Sequence, residues 1–334
     1  MNTSAPIVKL WLWLVAALIA CMVIVGGATR LTDSGLSITE WRPLLGAIPP
    51  LTEASWLEAF EKYKQIPEFK IQNHWMALED FKTIYWWEWA HRFLGRFIGV
   101  AFIIPLLFFV ATGRIAKSLW PKLLLLFVVG GLQGALGWFM VASGLSERTD
   151  VSQYRLAAHL SLAFLLFAAV VFTALRFNNT TALNWKKSSV FAALFIALLF
   201  VQIAAGGFVA GLDAGHASYT WPKMNDSWVP TGMSTLQPLW KNWFDNALAV
   251  QFNHRFLAYL IVLLALAQAF WLRRKSAVFV LAAVLSQATL GIMTVLSEVQ
   301  LHTALTHQGG ALVVLALALW HFVSVTREPA PGQR

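Results

Sequence analysis

Tyr85-Trp86-Trp87-Glu88-Trp89-Ala90-His91-Arg92-Phe93-Leu94-Gly95-Arg96 sets a carboxylate, an imidazole and two guanidiniums at the mouth of an apolar run that continues to about Thr112. Ionisable groups in such a place are costly unless they bind something, so the stretch reads as a functional site at the end of a membrane span. A weaker copy stands at Gln251-Phe252-Asn253-His254-Arg255-Phe256-Leu257-Ala258. Comparing the two carries most of what the sequence says about function.

Composition supports the membrane reading. Of 334 residues, 58% are hydrophobic and 12% charged, against about a quarter charged in soluble domains. Mean hydropathy is +0.63, and soluble fold classes are set aside. The net charge of +9 sits largely in short loops, where it reads as an orientation signal rather than as a nucleic-acid surface. Cys21 is the only cysteine. A disulfide within the chain and thiolate-held metals are therefore excluded, and Cys21 is expected to be a small buried residue.

Apolar runs of about the ~20 residues a bilayer requires predict eight spans: 10–28, 85–112, 119–141, 153–175, 189–210, 248–272, 277–296 and 302–325. Two long loops, 29–84 and 211–247, separate the first and fifth spans from those that follow. Within the first loop, Ser55-Trp56-Leu57-Glu58 has the pattern of a helix start. Trp56, Leu57, Phe60 and Tyr63 then recur at helical spacing, which predicts a short amphipathic helix lying on the membrane surface. The loops holding Arg114, Lys117 and Lys122, Arg176, Lys186 and Lys187, and Arg273, Arg274 and Lys275 contain no acid. The positive-inside rule makes them cytoplasmic, which puts both termini inside and both long loops outside.

The chain repeats itself. At an offset of 180, Gly26-Gly27 aligns with Gly206-Gly207, Asp33 with Asp213, Gly35 with Gly215 and Trp41 with Trp221. His91-Arg92-Phe93-Leu94 then aligns with His254-Arg255-Phe256-Leu257, Gln133 and Gly137 with Gln287 and Gly291, and His159 falls near His307. The expected fold is all-α, an eight-span polytopic membrane protein made of two pseudo-symmetric four-helix bundles in parallel orientation. The expected domains are 1–180 with loop 29–84, and 181–334 with loop 211–247.

Four of eight histidines, His91, His159, His254 and His307, occupy repeat-equivalent places. Two per half on alternate helices is the arrangement an axially ligated haem requires. Zinc competes for the pairs, but each half lacks the further ligands of a structural zinc site. His74, His216, His302 and His321 read as loop or boundary residues. Arg92 and Arg255 are placed to pair with haem propionates through a forked contact, and Arg96 and Arg155 could do the same. The glycines permit close helix approach. The halves differ at one telling position: Glu88 precedes His91 by three residues, whereas Gln251 stands before His254. A carboxylate can accept a proton or stabilise a developing cation, and an amide can do neither. The first half is therefore the candidate for chemistry, although an ion pair between Glu88 and Arg92 is an alternative use of the charge.

Glu88-Trp89-Ala90-His91-Arg92, the paired Gly-Gly and Asp-containing loops, and the four histidines resemble the haem A synthase family over about residues 10–325. The resemblance implies oxidation of the C8 methyl of haem O to a formyl group, giving haem A for terminal oxidases. It implies that Glu88, His91 and His159 form the substrate site and that His254 and His307 ligate a haem b cofactor. Some relatives carry cysteine pairs in the outer loops; this chain resembles the cysteine-free branch. The expected setting is a bacterial inner membrane, with haem O synthase as a partner and an unidentified electron donor. A homo-oligomer stays open. Two rivals remain at this stage: a di-haem cytochrome b that only passes electrons, and a haem transporter or chaperone.

Overall fold

The computed structural model describes residues 5–42, 45–146, 148–177 and 182–327. Eight helices are long and apolar enough to cross a membrane. They are α1 (Ala5–Leu31), α3 (Leu78–Ala111), α4 (Trp120–Val141), α5 (Gln153–Arg176), α6 (Lys187–Gly211), α8 (Ala247–Leu272), α9 (Lys275–Leu296) and α10 (Leu301–Thr326). The loops add α2 (Glu53–Tyr63) and the single turn α7 (Asn242–Asp245). Among the described residues there is no β-strand. The expected eight-span, all-α membrane protein is what the chain forms.

The residues group into two compact units, Ala17–Ala163, and Met1–Ala16 with Phe164–Arg334. In the second unit α6 packs on α8, α8 on α9, α9 on α10, and α10 back on α6. α10 is the most buried of these spans. Near its C-terminal end Phe322, Val323 and Val325 pack with Ala192 of α6. His321, expected at a boundary, is inside this packing at 1% exposure and shares a hydrogen bond with Ser276 at 2.8 Å.

In the first unit α3 packs on α4 and on α2. α3 has 34 residues, about 51 Å at 1.5 Å per residue, against the ~30 Å of a hydrocarbon core. It begins at Leu78 rather than at the expected Tyr85. The extra turns carry Glu79, Asp80 and Lys82, so hydropathy alone misses them. Glu79 and Asp80 suit the positive end of the helix dipole, and Asp80 accepts the free N–H of Ala77 at 2.9 Å.

These turns give the first long loop something to fold against. α2 is capped by Thr52 and Ser55, each side chain accepting from the other's backbone N–H. The start lies three residues before the one expected. Phe60 and Tyr63 of α2 pack with Phe81, Ile84 and Tyr85 of α3, together with Leu36, Val141 and Val151. The Phe60 and Phe81 rings stack at 5.1 Å. Phe60 and Tyr63 on the apolar face of α2 therefore dock on protein, whereas Leu57, expected on the same face, is exposed. Cys21, expected to be buried, is exposed on α1.

Candidate functional site

α3 places Glu88, Arg92 and Arg96 four residues apart on one face, with His91 beside them. Glu88 is 2% exposed. Its Oε2 accepts the Ser37 hydroxyl and the Ile38 N–H, both at 2.7 Å, and its Oε1 accepts from the Arg92 guanidinium. Arg92 also donates to the carbonyls of Ile38 at 2.8 Å and Glu40 at 3.0 Å. One buried ion pair thus pins the start of the first long loop to α3.

The second half repeats the clamp with one change. Arg255 donates to the carbonyls of Ser218 at 3.1 Å and Thr220 at 2.7 Å, the positions that match Ile38 and Glu40 at the offset of 180. Asp33 and Asp213, matched by the same offset, both take a left-handed backbone with φ of 48° and 49°, which aspartate tolerates better than most residues. Where Glu88 accepts, Gln251 donates: its amide nitrogen reaches the carbonyls of Gly215 and Ser218, both at 3.0 Å. At these two positions the first loop offers donors, the Ser37 hydroxyl and the Ile38 N–H, and the second offers acceptors, the Gly215 and Ser218 carbonyls.

The structure therefore gives Arg92 and Arg255 a different first task from the propionate contact expected of them. Their terminal nitrogens hold loop carbonyls. Arg255 Nε is buried without a partner among the described residues. Arg96 donates to the carbonyl of Arg42 at 3.0 Å. Arg155 lies over the Phe139 ring, 3.7 Å from its centre.

Each of the four histidines is half-buried and seated on a glycine of a neighbouring helix. A methyl group added at Gly26 would lie 2.9 Å from His91, at Gly137 2.9 Å from His159, at Gly206 3.3 Å from His254, and at Gly291 2.9 Å from His307. The glycines that read as helix-approach residues make room for imidazoles. The rings of His254 and His307 face each other with centres 6.4 Å apart and planes at 83°.

Three glutamines complete the seating: Gln133 and Gln287, which the repeat aligned without giving them a role, and Gln202, which sequence reasoning passed over. Gln133 donates to the His159 carbonyl at 2.9 Å, Gln202 to that of His254 at 3.1 Å, and Gln287 to that of His307 at 2.7 Å. Each amide nitrogen also lies 3.2–3.4 Å from a ring nitrogen of the same histidine. The available signal was a polar residue within an apolar span.

Eight spans, a duplicated loop clamp and two pairs of glycine-seated histidines define a polytopic membrane protein built to hold paired imidazoles at repeated sites. The match to known families is specific. The chain belongs to the COX15-CtaA family of cytochrome oxidase assembly proteins, whose model matches residues 9–319. It is 51% identical over 319 residues to a protein named heme A synthase from Parvibaculum lavamentivorans, covering 93% of this chain and 92% of that one. It is also 51% identical to proteins of the same name from Azorhizobium caulinodans, covering 95% of this chain and 94% of that one, and from Bradyrhizobium diazoefficiens, covering 93% and 89%.

Proposed function

We propose that this protein is a haem A synthase, which oxidises the C8 methyl of haem O to a formyl group. The names carried by relatives at about half identity support the reading. The observation that carries the assignment of chemistry to one half is the exchange of Glu88 for Gln251 within an otherwise matching clamp.

His91 and His159 flank the substrate haem in this reading, and His254 and His307 hold haem b. The donor set suits the group. Two imidazoles that were to hold one iron would need ring centres ~6 Å apart at ordinary bond lengths. The value for His254 and His307 is 6.4 Å. Nδ1 of His159 and of His254 are buried without a hydrogen-bond partner among the described residues. When bound, haem b supplies one-electron transfer toward the substrate site. The protein's own groups do the rest. The glycine seats and glutamines orient the imidazoles, the helices exclude water, and Glu88 sits three residues from His91 as the group to manage protons or a cationic intermediate.

The protein works in a bacterial inner membrane, with residues 1–180 forming the substrate half and 181–334 the haem b half. Both termini face the cytoplasm. Haem O synthase supplies the substrate, and a separate donor supplies electrons. The test is co-expression with a haem O source, followed by pigment extraction and mass analysis. A formyl haem is expected from the wild type, and unchanged haem O from Glu88→Gln. Unchanged pigment from the wild type would instead favour an electron-transfer cytochrome or a haem carrier. His254→Ala or His307→Ala should each remove the low-spin haem b spectrum.

A further inference from the structure

Three of the four histidines are tied to the adjacent helix by a glutamine, and the fourth is not. At the offset of 180 that matches Gly26 with Gly206, Gln202 aligns with Met22. Met22 reaches toward α3 as Gln202 reaches toward α8, but it ends in a methyl group 3.2 Å from where a side chain on Gly95 would begin. Gly95 is one turn beyond His91. A thioether carries no hydrogen to donate, and among the described residues no glutamine reaches His91. Both imidazoles of the second half and His159 in the first are held at the backbone by an amide. In an apolar setting, where no water competes for the carbonyl, such a bond resists displacement of the segment that carries the imidazole.

We infer that Met22 is a positioning residue which makes His91 the releasable ligand of the substrate site. This rests on the assignment of the first half to substrate. A cofactor stays and a substrate must leave, so the two rings place opposite demands on otherwise matched pockets. Gln202 and Gln287 hold both ligands of the resident haem. In the first half Gln133 holds His159 as the fixed side, and Met22 leaves the His91 carbonyl without an amide from α1, whose hydroxyl contact to this stretch, from Thr29 to the Trp87 carbonyl, is long at 3.4 Å and falls one turn earlier. Exchange of haem O for product then proceeds by parting from His91, while His159 keeps its seat.

The test is loss of haem from the purified, haem-loaded protein to an excess of a soluble haem-scavenging globin, with each pigment identified by mass. Met22→Gln should slow loss of the first-half haem several-fold and leave haem b loss unchanged. Gln202→Met should speed haem b loss several-fold and leave the first-half haem unchanged. Met22→Leu, which also lacks a donor, should behave as the wild type. General destabilisation would speed both losses together, so the half-specific pattern separates positioning from folding. Unchanged rates for both Met22→Gln and Gln202→Met would overturn the inference, as would a Met22→Leu variant that releases as slowly as Met22→Gln. Failure of the underlying assignment looks different: His91→Ala would then leave the haem O content untouched.

Discussion

Glu88 accepts the backbone N–H of Ile38 at 2.7 Å, whereas Gln251, its counterpart, donates to the carbonyl of Ser218, the counterpart of Ile38. The same pair of positions is bonded with opposite polarity. Glu88→Gln therefore does more than remove a charge: it turns an amide nitrogen toward donors on Arg92, Ser37 or Ile38. Loss of one partner of a buried pair costs on the order of 3–5 kcal/mol. The variant should expose loop 29–84 to protease while keeping its haem b absorbance. Ser37→Ala removes one neutral donor and should cost about 1 kcal/mol, with little change in cleavage. Equal cleavage of both variants would contradict the clamp.

Gly291→Ala and Gly206→Ala offer a graded test of the glycine seats. The added methyl would meet His307 at 2.9 Å but His254 at 3.3 Å. The first contact forces the ring to move, and the second asks only for a small adjustment. Haem b absorbance per protein should fall markedly in Gly291→Ala and slightly in Gly206→Ala. The reverse order would count against the seating.

Arg255→Leu separates the two uses of that guanidinium. If Arg255 chiefly holds the second loop, backbone amides near Ser218 and Thr220 exchange faster in the variant while most haem b stays. Loss of haem b as complete as in His254→Ala would show that Arg255 acts on the haem itself.

Glu68 predicts a pH dependence. It is 3% exposed in the first long loop, and its Oε1 accepts from Asn73 at 3.4 Å. Burial, followed by the negative charges of Glu88, Asp33 and Asp150, pushes its carboxyl up from the ordinary 4.5 to about 8, against a weaker opposing hydrogen bond from Tyr63. A raised folded-state value means the unfolded chain releases this proton first. The contribution is whole below about pH 4.5 and is lost as pH rises through about 8. Amide exchange around Tyr63 and Asn73 should therefore quicken between pH 6 and pH 9. Glu68→Gln, which cannot ionise, should flatten that rise.

The spans were legible because apolar length is nearly sufficient to define a membrane helix. The repeat was legible because Gly, Asp, His and Arg recur at one spacing. The chain between Leu78 and Ile84 escaped because its charges hide a helix that continues beyond the bilayer. The docking of α2 escaped because an apolar face does not say what it will cover. Both arginines stood out, and the pairing of Arg92 with Glu88 was an open alternative, but the loop partners of both are backbone carbonyls, which carry no residue signature. Gln202 and Met22 were visible as letters, yet their difference means something only beside His254 and Gly95.

α3 runs as one unbroken rod from Leu78 to Ala111, and its only proline, Pro105, lies beyond both Glu88 and His91. Leu78 and His91 are about 20 Å apart along that rod. A tilt imposed where Phe60 and Tyr63 grip Phe81 is thus delivered as leverage to the carboxylate and the imidazole together, with no joint between to absorb it.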